Sequence, residues 1–155
     1  MTLLQSFHTE PITRLDLSYY CTVPAGTPVI DVIEQMRASK RNCALVTQDN
    51  RLVGIFTDRD ILRKVVDRPD LWGNPVDGFM TSTVQMVAAD THAADAMALM
   101  DLNQVRNVPV VGASGEVVGN FTHYAVVKFL ADTFPADIYN RPPEPKRFAH
   151  RRHGA

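Results

Sequence analysis

The stretch Leu52-Val53-Gly54-Ile55-Phe56-Thr57 decides the fold, because it recurs 65 residues later as Val117-Val118-Gly119-Asn120-Phe121-Thr122. A second pair of segments has the same offset, since Arg41–Val46 corresponds to Arg106–Val111. Two matches in one register indicate the duplication of a supersecondary unit. We therefore predict that two similar units make up most of this chain of 155 residues.

Each unit is predicted to run strand–helix–strand–strand–helix. In the first unit, a strand at Cys21–Val23 precedes a helix with Thr27 as its N-cap and Pro28 as its first residue. Two strands joined by a polar turn follow at Cys43–Thr47 and Leu52–Phe56, and a second helix ends the unit. The corresponding strands of the second unit are Val108–Val111 and Val117–Phe121.

The helices are each expected to bury one apolar face. In the first helix of each unit, the apolar positions at helical spacing are Val29, Val32, Ile33 and Met36, and Ala93, Ala96, Met97 and Met100. The second helices offer Ile61, Leu62, Val65 and Val66, and Val126, Val127 and Leu130. The methionines in these positions are therefore predicted to belong to the core.

This pattern predicts an α/β (α+β) fold in which two β-α-β-β-α repeats pack about a pseudo-two-fold axis. A single three-stranded unit cannot bury both faces of its sheet, and pairing leaves clefts between the repeats, a favoured place for small ligands. The predicted segments are an N-terminal extension (1–17), the first repeat (18–69), a linker (70–75), the second repeat (76–133) and a proline-rich basic tail (134–155).

Composition argues against several classes of protein. A hydrophobic content of 45% and a net charge of -1 exclude a disordered chain and argue against a nucleic-acid binder. No apolar run reaches the roughly 20 residues of a membrane span, and the amino terminus lacks a signal-peptide pattern. We therefore expect a cytoplasmic protein in which Cys21 and Cys43 are reduced, largely apolar residues.

Motifs for catalysis and metal binding are missing from the sequence. It contains no Gly-x-x-x-x-Gly-Lys phosphate loop, no Gly-x-Gly-x-x-Gly and no nucleophile elbow. Asp58 and Asp60 alone are too few ligands to predict a divalent-cation site. We therefore expect a protein that is not an enzyme and requires no metal and no cofactor.

The run Gly54–Leu62 resembles the signature of cystathionine-β-synthase (CBS) domains. The Val-Pro-Val-Val strand at Val108–Val111 and the segment Val76–Thr81 resemble other parts of the same domain, and the likeness covers about residues 18–133. The resemblance implies a tandem CBS pair, or Bateman module. Such a pair is expected to be a regulatory or energy-sensing module that binds adenosine compounds, forms a disc-shaped homodimer and acts on a separate, unidentified protein.

Thr57 and Asp60 open the second helix of the first repeat, and two interpretations of this pair stay open. A hydroxyl, exposed backbone N–H groups and the partial positive charge of a helix start suit a phosphate, while the carboxylate can accept hydrogen bonds from both ribose hydroxyls. Thr-x-x-Asp is also a capping pattern, in which Asp60 accepts a hydrogen bond from the N–H of Thr57. The two roles are compatible, because the carboxylate can cap the helix while the cleft is empty.

The resemblance implies a role for each residue of this segment. Asp60 is expected to hold the ribose, and Thr57 is expected to lie beside the ribose and the phosphate, next to Asp58 and Arg59. Because Asp58 adds a negative charge there, AMP, ADP and S-adenosylmethionine are candidate ligands alongside ATP. The residues expected around the adenine are Cys21, Thr22, Cys43 and Ala44.

The second repeat departs from this pattern. It retains Thr122 but has His123, Tyr124 and Ala125 where the first repeat has Asp58, Arg59 and Asp60. Alanine cannot accept a hydrogen bond from ribose, so we predict at most one competent site, centred on Asp60. The possible phosphate contacts are Arg41, Arg106, Thr122 and His123. The alternative for Arg41, Arg106 and His123 is that they are surface residues.

Two functions remain open on the sequence alone. The first is a sensor that binds an adenosine compound between the repeats, and the alternative is a protein–protein interaction or scaffold module whose clefts stay empty. The basic segment Lys146–His153 is either a mobile, solvated tail or a docking patch for an acidic partner, an anionic ligand or nucleic acid.

Overall fold

The computed structural model describes residues 3–134, with side chains described from residue 5 onward, so the basic segment Lys146–His153 lies outside the described residues. The helices are α1 (Leu3–Thr9), α2 (Val29–Ser39), α3 (Asp58–Asp60), α4 (Ala93–Asn103) and α5 (His123–Thr133). The strands are β1 (Cys21–Pro24), β2 (Cys43–Gln48), β3 (Arg51–Thr57), β4 (Val87–Ala88), β5 (Asn107–Val111) and β6 (Val117–Thr122). The predicted unit is therefore confirmed twice, as β1-α2-β2-β3-α3 and β4-α4-β5-β6-α5.

Each repeat has a three-stranded sheet of the same topology. The first strand runs parallel to the second, and the second is antiparallel to the third, in the orders β1-β2-β3 and β4-β5-β6. Asp49 and Asn50 have positive φ values of 49° and 63° in the turn between β2 and β3. Such values suit a two-residue hairpin turn, and Asp and Asn tolerate them better than most residues.

The two repeats exchange the segments that precede their first strands. Thr81, ahead of β4, pairs with Ile55 of the first repeat, and Ser18, ahead of β1, pairs with Asn120 of the second. The repeated glycines make room for these segments, since a Cβ on Gly54 would overlap the side chain of Met80. A Cβ on Gly119 would overlap Leu17 in the same way. The two repeats are therefore related by an approximate two-fold operation.

The hydrophobic core of each repeat also includes side chains from the segment that precedes the other repeat's first strand. In one cluster, Phe7, Ile12 and Leu15 from the N-terminal segment pack with α4, β5, β6 and α5 of the second repeat. A second cluster joins the first repeat to Val76 and Trp72, which lie on the connection between the repeats. A third cluster, between the sheets, contains Cys43, Leu45 and Ile55 with Tyr20, Leu52, Val84 and Val117 against them.

Four predicted core residues are exposed instead. Leu62 and Val127 are 69% and 63% exposed, and Val66 and Met97 are 43% and 37% exposed. The neighbouring elements therefore cover fewer of the apolar side chains on these helices than the sequence pattern predicts. In the second helix of the first repeat, the chain passes from α3 into a π-helical turn at Ile61–Val65, and Val65 is buried.

The predicted N-cap of α2 is also wrong. Thr27 Oγ1 donates a hydrogen bond to the carbonyl of Pro24 (2.7 Å), and the helix begins at Val29, after Pro28. Backbone carbonyls of the connection between the repeats accept hydrogen bonds from the first N–H groups of α2. For example, Val29 N donates to Asn74 O (2.9 Å). These bonds replace a side-chain cap.

Candidate functional site

A cavity of about 390 Å³ lies between the two repeats, beside the end of β3. Both repeats line it, together with the segment ahead of β4. The lining residues are Asn42, Ile55, Thr57, Asp58, Arg59, Asp60, Arg63, Lys64, Thr81, Thr83, Val84, Gln85, Val105, Arg106 and Asn107. We call this space the Asp60 cleft. It brings together the predicted residues Thr57, Asp58, Arg59, Asp60 and Arg106.

The carboxylate of Asp60 is buried at the wall of the Asp60 cleft, with only 9% of the residue exposed. Its Oδ2 atom accepts hydrogen bonds from Thr57 N (3.0 Å) and from Thr57 Oγ1 (3.2 Å). These contacts are the capping arrangement that the Thr-x-x-Asp spacing predicts. The other carboxylate oxygen, Oδ1, lies 2.8 Å from Lys64 Nζ, so both oxygens have partners.

Lys64 holds two groups at once. Besides the ion pair with Asp60, its ammonium donates a hydrogen bond to the carbonyl of Phe79 (2.6 Å). Phe79 lies on the connection between the repeats, so Lys64 ties that connection to the start of the helix. The side chain is 41% exposed and lines the Asp60 cleft.

The backbone N–H groups at the start of α3 already have internal partners. Asp58 N donates to Asn42 O (3.0 Å), and Arg59 N donates to Asp58 Oδ1 (2.8 Å). Thr57 N is taken by Asp60, as described above. The exposed N–H donors expected here for a phosphate are therefore absent among these three residues.

The residues predicted to surround an adenine do not line the Asp60 cleft. Cys43 and Ala44 are completely buried in β2, Cys21 is 9% exposed in β1, and the side chain of Thr22 points to solvent. Burial raises the pKa of the Cys43 and Cys21 thiols, which are free, as expected. Of the remaining predicted contacts, Arg41, Thr122 and His123 lie outside the Asp60 cleft.

At the equivalent place in the second repeat, the side chains contact one another. Tyr124, the counterpart of Arg59, stacks on Tyr19 with ring centroids 4.7 Å apart. The guanidinium of Arg41, the counterpart of Arg106, lies 4.4 Å from the centre of the Tyr19 ring. Thr122 Oγ1 accepts a hydrogen bond from Ala125 N (3.1 Å) and caps α5. We call this arrangement the Tyr19 stack.

A second space, an open groove of about 860 Å³, shares two lining residues with the Asp60 cleft. Arg59 and Arg106 line both spaces. The remainder of the groove is mainly apolar and includes the exposed Met97 and Val127, with His123 at its edge. His123 therefore lies in this groove rather than in the Asp60 cleft.

Sequence reasoning missed several residues of the Asp60 cleft. Arg63 and Lys64 lie one helical turn after Asp60, and this spacing was a usable signal. No local pattern indicates Thr81, Thr83 and Gln85, because the exchange of segments between the repeats brings them to the cleft.

The described residues, 3–134, contain neither a candidate membrane span nor a candidate metal site. Their helices are all too short or too polar to cross a bilayer. Over the same range, no three His, Cys, Asp or Glu side chains come together in a group able to hold a metal ion.

Comparison with known proteins identifies the repeats. Residues 9–67 and 76–132 both match the CBS domain model. The chain is 37% identical over 109 residues to the CBS domain-containing protein CBSCBSPB5 of Arabidopsis thaliana, a match that covers 69% of this chain and 20% of that protein. This chain therefore corresponds to about a fifth of that relative's length.

Solved structures show the same fold. A crystal structure of the CBS domain protein NE2398 is 30% identical, with a TM-score of 0.65, and the match covers 71% of this chain and 86% of that one. The CBS domain pair of MJ0100, solved with 5'-methylthioadenosine and S-adenosyl-L-methionine, has a TM-score of 0.71 at 18% identity, over 80% of this chain and 98% of that one. The chain belongs to the CBS domain family and contains two CBS domains in tandem.

Proposed function

We propose that this CBS pair is a non-catalytic regulatory module that binds an adenosine-containing ligand in the Asp60 cleft. One observation carries the proposal: a buried carboxylate, Asp60, stands at the wall of a cavity of about 390 Å³ between the repeats. This volume lies within the usual range for small-molecule sites. The MJ0100 pair, which has the same fold, holds 5'-methylthioadenosine and S-adenosyl-L-methionine.

Asp60 is suited to hold a ribose. A carboxylate accepts hydrogen bonds from two neighbouring hydroxyls, and such charge-assisted bonds are stronger than neutral ones. Lys64 contacts Oδ1, so the ligand must displace the ammonium from that oxygen. Because Lys64 itself lines the cleft, it can move and keep a contact with the bound ligand.

The module is proposed to signal through a homodimer and to act in the cytoplasm on a separate protein. Leu62 and Val127, on the last helices of the two repeats, expose 69% and 63% of their surface. Apolar side chains exposed in this way favour an interface. We expect Leu62→Glu and Val127→Glu to shift a dimer to monomer in analytical ultracentrifugation, whereas Met86→Glu, outside these helices, leaves it unchanged. The free cysteines suit a reducing compartment.

The decisive experiment removes the carboxylate. In Asp60→Ala, we expect the affinity for whichever of AMP, ADP, ATP or S-adenosylmethionine binds to fall about 10- to 100-fold, the scale of a lost charged hydrogen bond. Calorimetry measures the affinity, and thermal unfolding separates loss of binding from loss of the helix cap. Asp31→Asn, an exposed carboxylate on α2, is the control and is expected to bind normally.

A scaffold module with empty clefts is the competing function. It requires that none of the four compounds binds the wild-type protein, and that Asp60→Ala lowers only the stability, through the lost cap. The engagement of both Asp60 oxygens by Thr57 and Lys64 is the observation that favours this alternative.

A further inference from the structure

Four cationic side chains line the Asp60 cleft against two carboxylates. The cations belong to Arg59, Arg63, Lys64 and Arg106, and the carboxylates to Asp58 and Asp60. The lining therefore carries an excess of two positive charges, although the whole chain has a net charge of -1. A cleft lined mainly by one sign of charge attracts ligands of the opposite sign.

Most of this positive charge has no ion-pair partner among the residues that the structure describes. Lys64 forms an ion pair with Asp60, but Arg59, Arg63 and Arg106 form no ion pair with any residue between 3 and 134. Like charges around one cavity repel each other, and an anion in the cavity relieves that repulsion. Guanidinium groups also match the geometry of phosphate oxygens.

The backbone N–H groups of Thr57, Asp58 and Arg59 are not available to an anion. The N–H groups of Thr57, Asp58 and Arg59 already donate to Asp60, Asn42 and Asp58. Beside the start of α3, an anion therefore depends on side chains for its hydrogen-bond donors. When a ribose displaces Lys64 from Asp60, the released ammonium adds a fourth available cation.

We infer that the Asp60 cleft selects phosphorylated adenosine ligands and discriminates against S-adenosylmethionine, with Arg63, Lys64 and Arg106 as the residues that determine specificity. This inference rests on the proposed function of the cleft. A phosphate monoester carries close to two negative charges at pH 7. The sulfonium group of S-adenosylmethionine is positive and meets the excess positive charge of the lining.

The test compares ligands on the full-length protein by calorimetry. Adenosine, AMP, ADP and S-adenosylmethionine are titrated into the wild type, Arg63→Gln, Arg106→Gln and the control Arg37→Gln, an exposed residue of α2. We expect AMP to bind at least about tenfold more tightly than adenosine, and S-adenosylmethionine no more tightly than adenosine. Arg63→Gln and Arg106→Gln should each lower the ratio of AMP to adenosine affinity about fivefold, and Arg37→Gln should preserve it.

The opposite pattern overturns the inference while the proposed function survives. The inference is wrong if the wild type binds adenosine, AMP and S-adenosylmethionine with equal affinity. It is also wrong if neither arginine variant changes the ratio of AMP to adenosine affinity. Inorganic pyrophosphate is the probe that separates the two ideas. If no adenosine compound binds, but pyrophosphate binds and loses affinity in Arg63→Gln, the anion site stands and the adenosine function fails. If neither class of compound binds, both fail.

Discussion

The Asp60 cleft and the Tyr19 stack occupy equivalent places in the two repeats, but their side chains are arranged differently. Arg59, Arg63 and Lys64 of the cleft are replaced in the second repeat by Tyr124, Lys128 and Phe129. Tyr124 stacks on Tyr19, and Phe129 packs on Phe7.

The counterparts of Arg106 and Arg63 also have partners. Arg41 lies over the Tyr19 ring, and Lys128 forms an ion pair with Asp16 (2.8 Å). The same backbone unit therefore supports two outcomes. Where its side chains face a cavity, the repeat provides a candidate ligand site, and where they pair with the N-terminal segment, it provides packing.

The largest expected effect concerns the glycines that admit the exchanged segments. Gly119→Ala places a methyl group against the Leu17 side chain, beginning at its Cβ, whereas Gly54→Ala meets the thioether of Met80. Methionine adapts more readily than an atom next to the backbone. We expect both changes to destabilise by about 1–3 kcal/mol, with Gly119→Ala the more costly. Urea unfolding measures both, and equal costs would contradict this difference between the repeats.

A smaller effect is expected from substitutions at Arg59 and Tyr124, which are equivalent positions at the starts of α3 and α5. Tyr124→Ala removes an aromatic pair and is expected to cost about 1 kcal/mol of stability without changing AMP affinity. Arg59→Ala removes no ion pair or ring contact with residues 3–134, so its stability should change by less than about 0.5 kcal/mol while AMP affinity falls. Unfolding and calorimetry on both variants give the comparison, which fails if Tyr124→Ala weakens AMP binding as much as Arg59→Ala.

The smallest effect is the pH dependence of the link between Asp16 and α5. Hydrogen bonds from Lys128 and Ser18 hold the pKa of Asp16 well below its ordinary value of 3.8. The stabilisation is therefore complete above about pH 4 and is lost as the pH falls toward the lowered pKa. The side chains are 28% and 44% exposed, so water weakens the pair. Asp16→Asn should lower the melting temperature slightly at pH 7, and the difference from wild type should shrink below pH 4.

The architecture could be predicted from the sequence because it depends on local patterns. Short apolar runs bounded by polar turns place β2, β3, β5 and β6, and the shared offset of 65 residues reveals the duplication. The roles of Thr57 and Asp60 as a helix cap also follow from their spacing alone.

The parts that escaped prediction depend on contacts between distant segments. The exchange around Ile55 and Asn120 brings Thr81 into the Asp60 cleft, and it brings Tyr19 beside Tyr124. The exposure of Leu62 and Met97 has a similar origin, because the composition of a helix does not say how much of its face the neighbouring sheet covers.

The number of ligands bound per chain tests the difference between the two repeats most directly. Calorimetric titration of the wild-type protein with AMP should give one site per chain, and Asp60→Ala should lose that site. Tyr124→Ala should still bind one equivalent, because Ala125 provides no carboxylate for a ribose. Two sites per chain, or a single site that persists with unchanged affinity in Asp60→Ala, would contradict the assignment of binding to the Asp60 cleft.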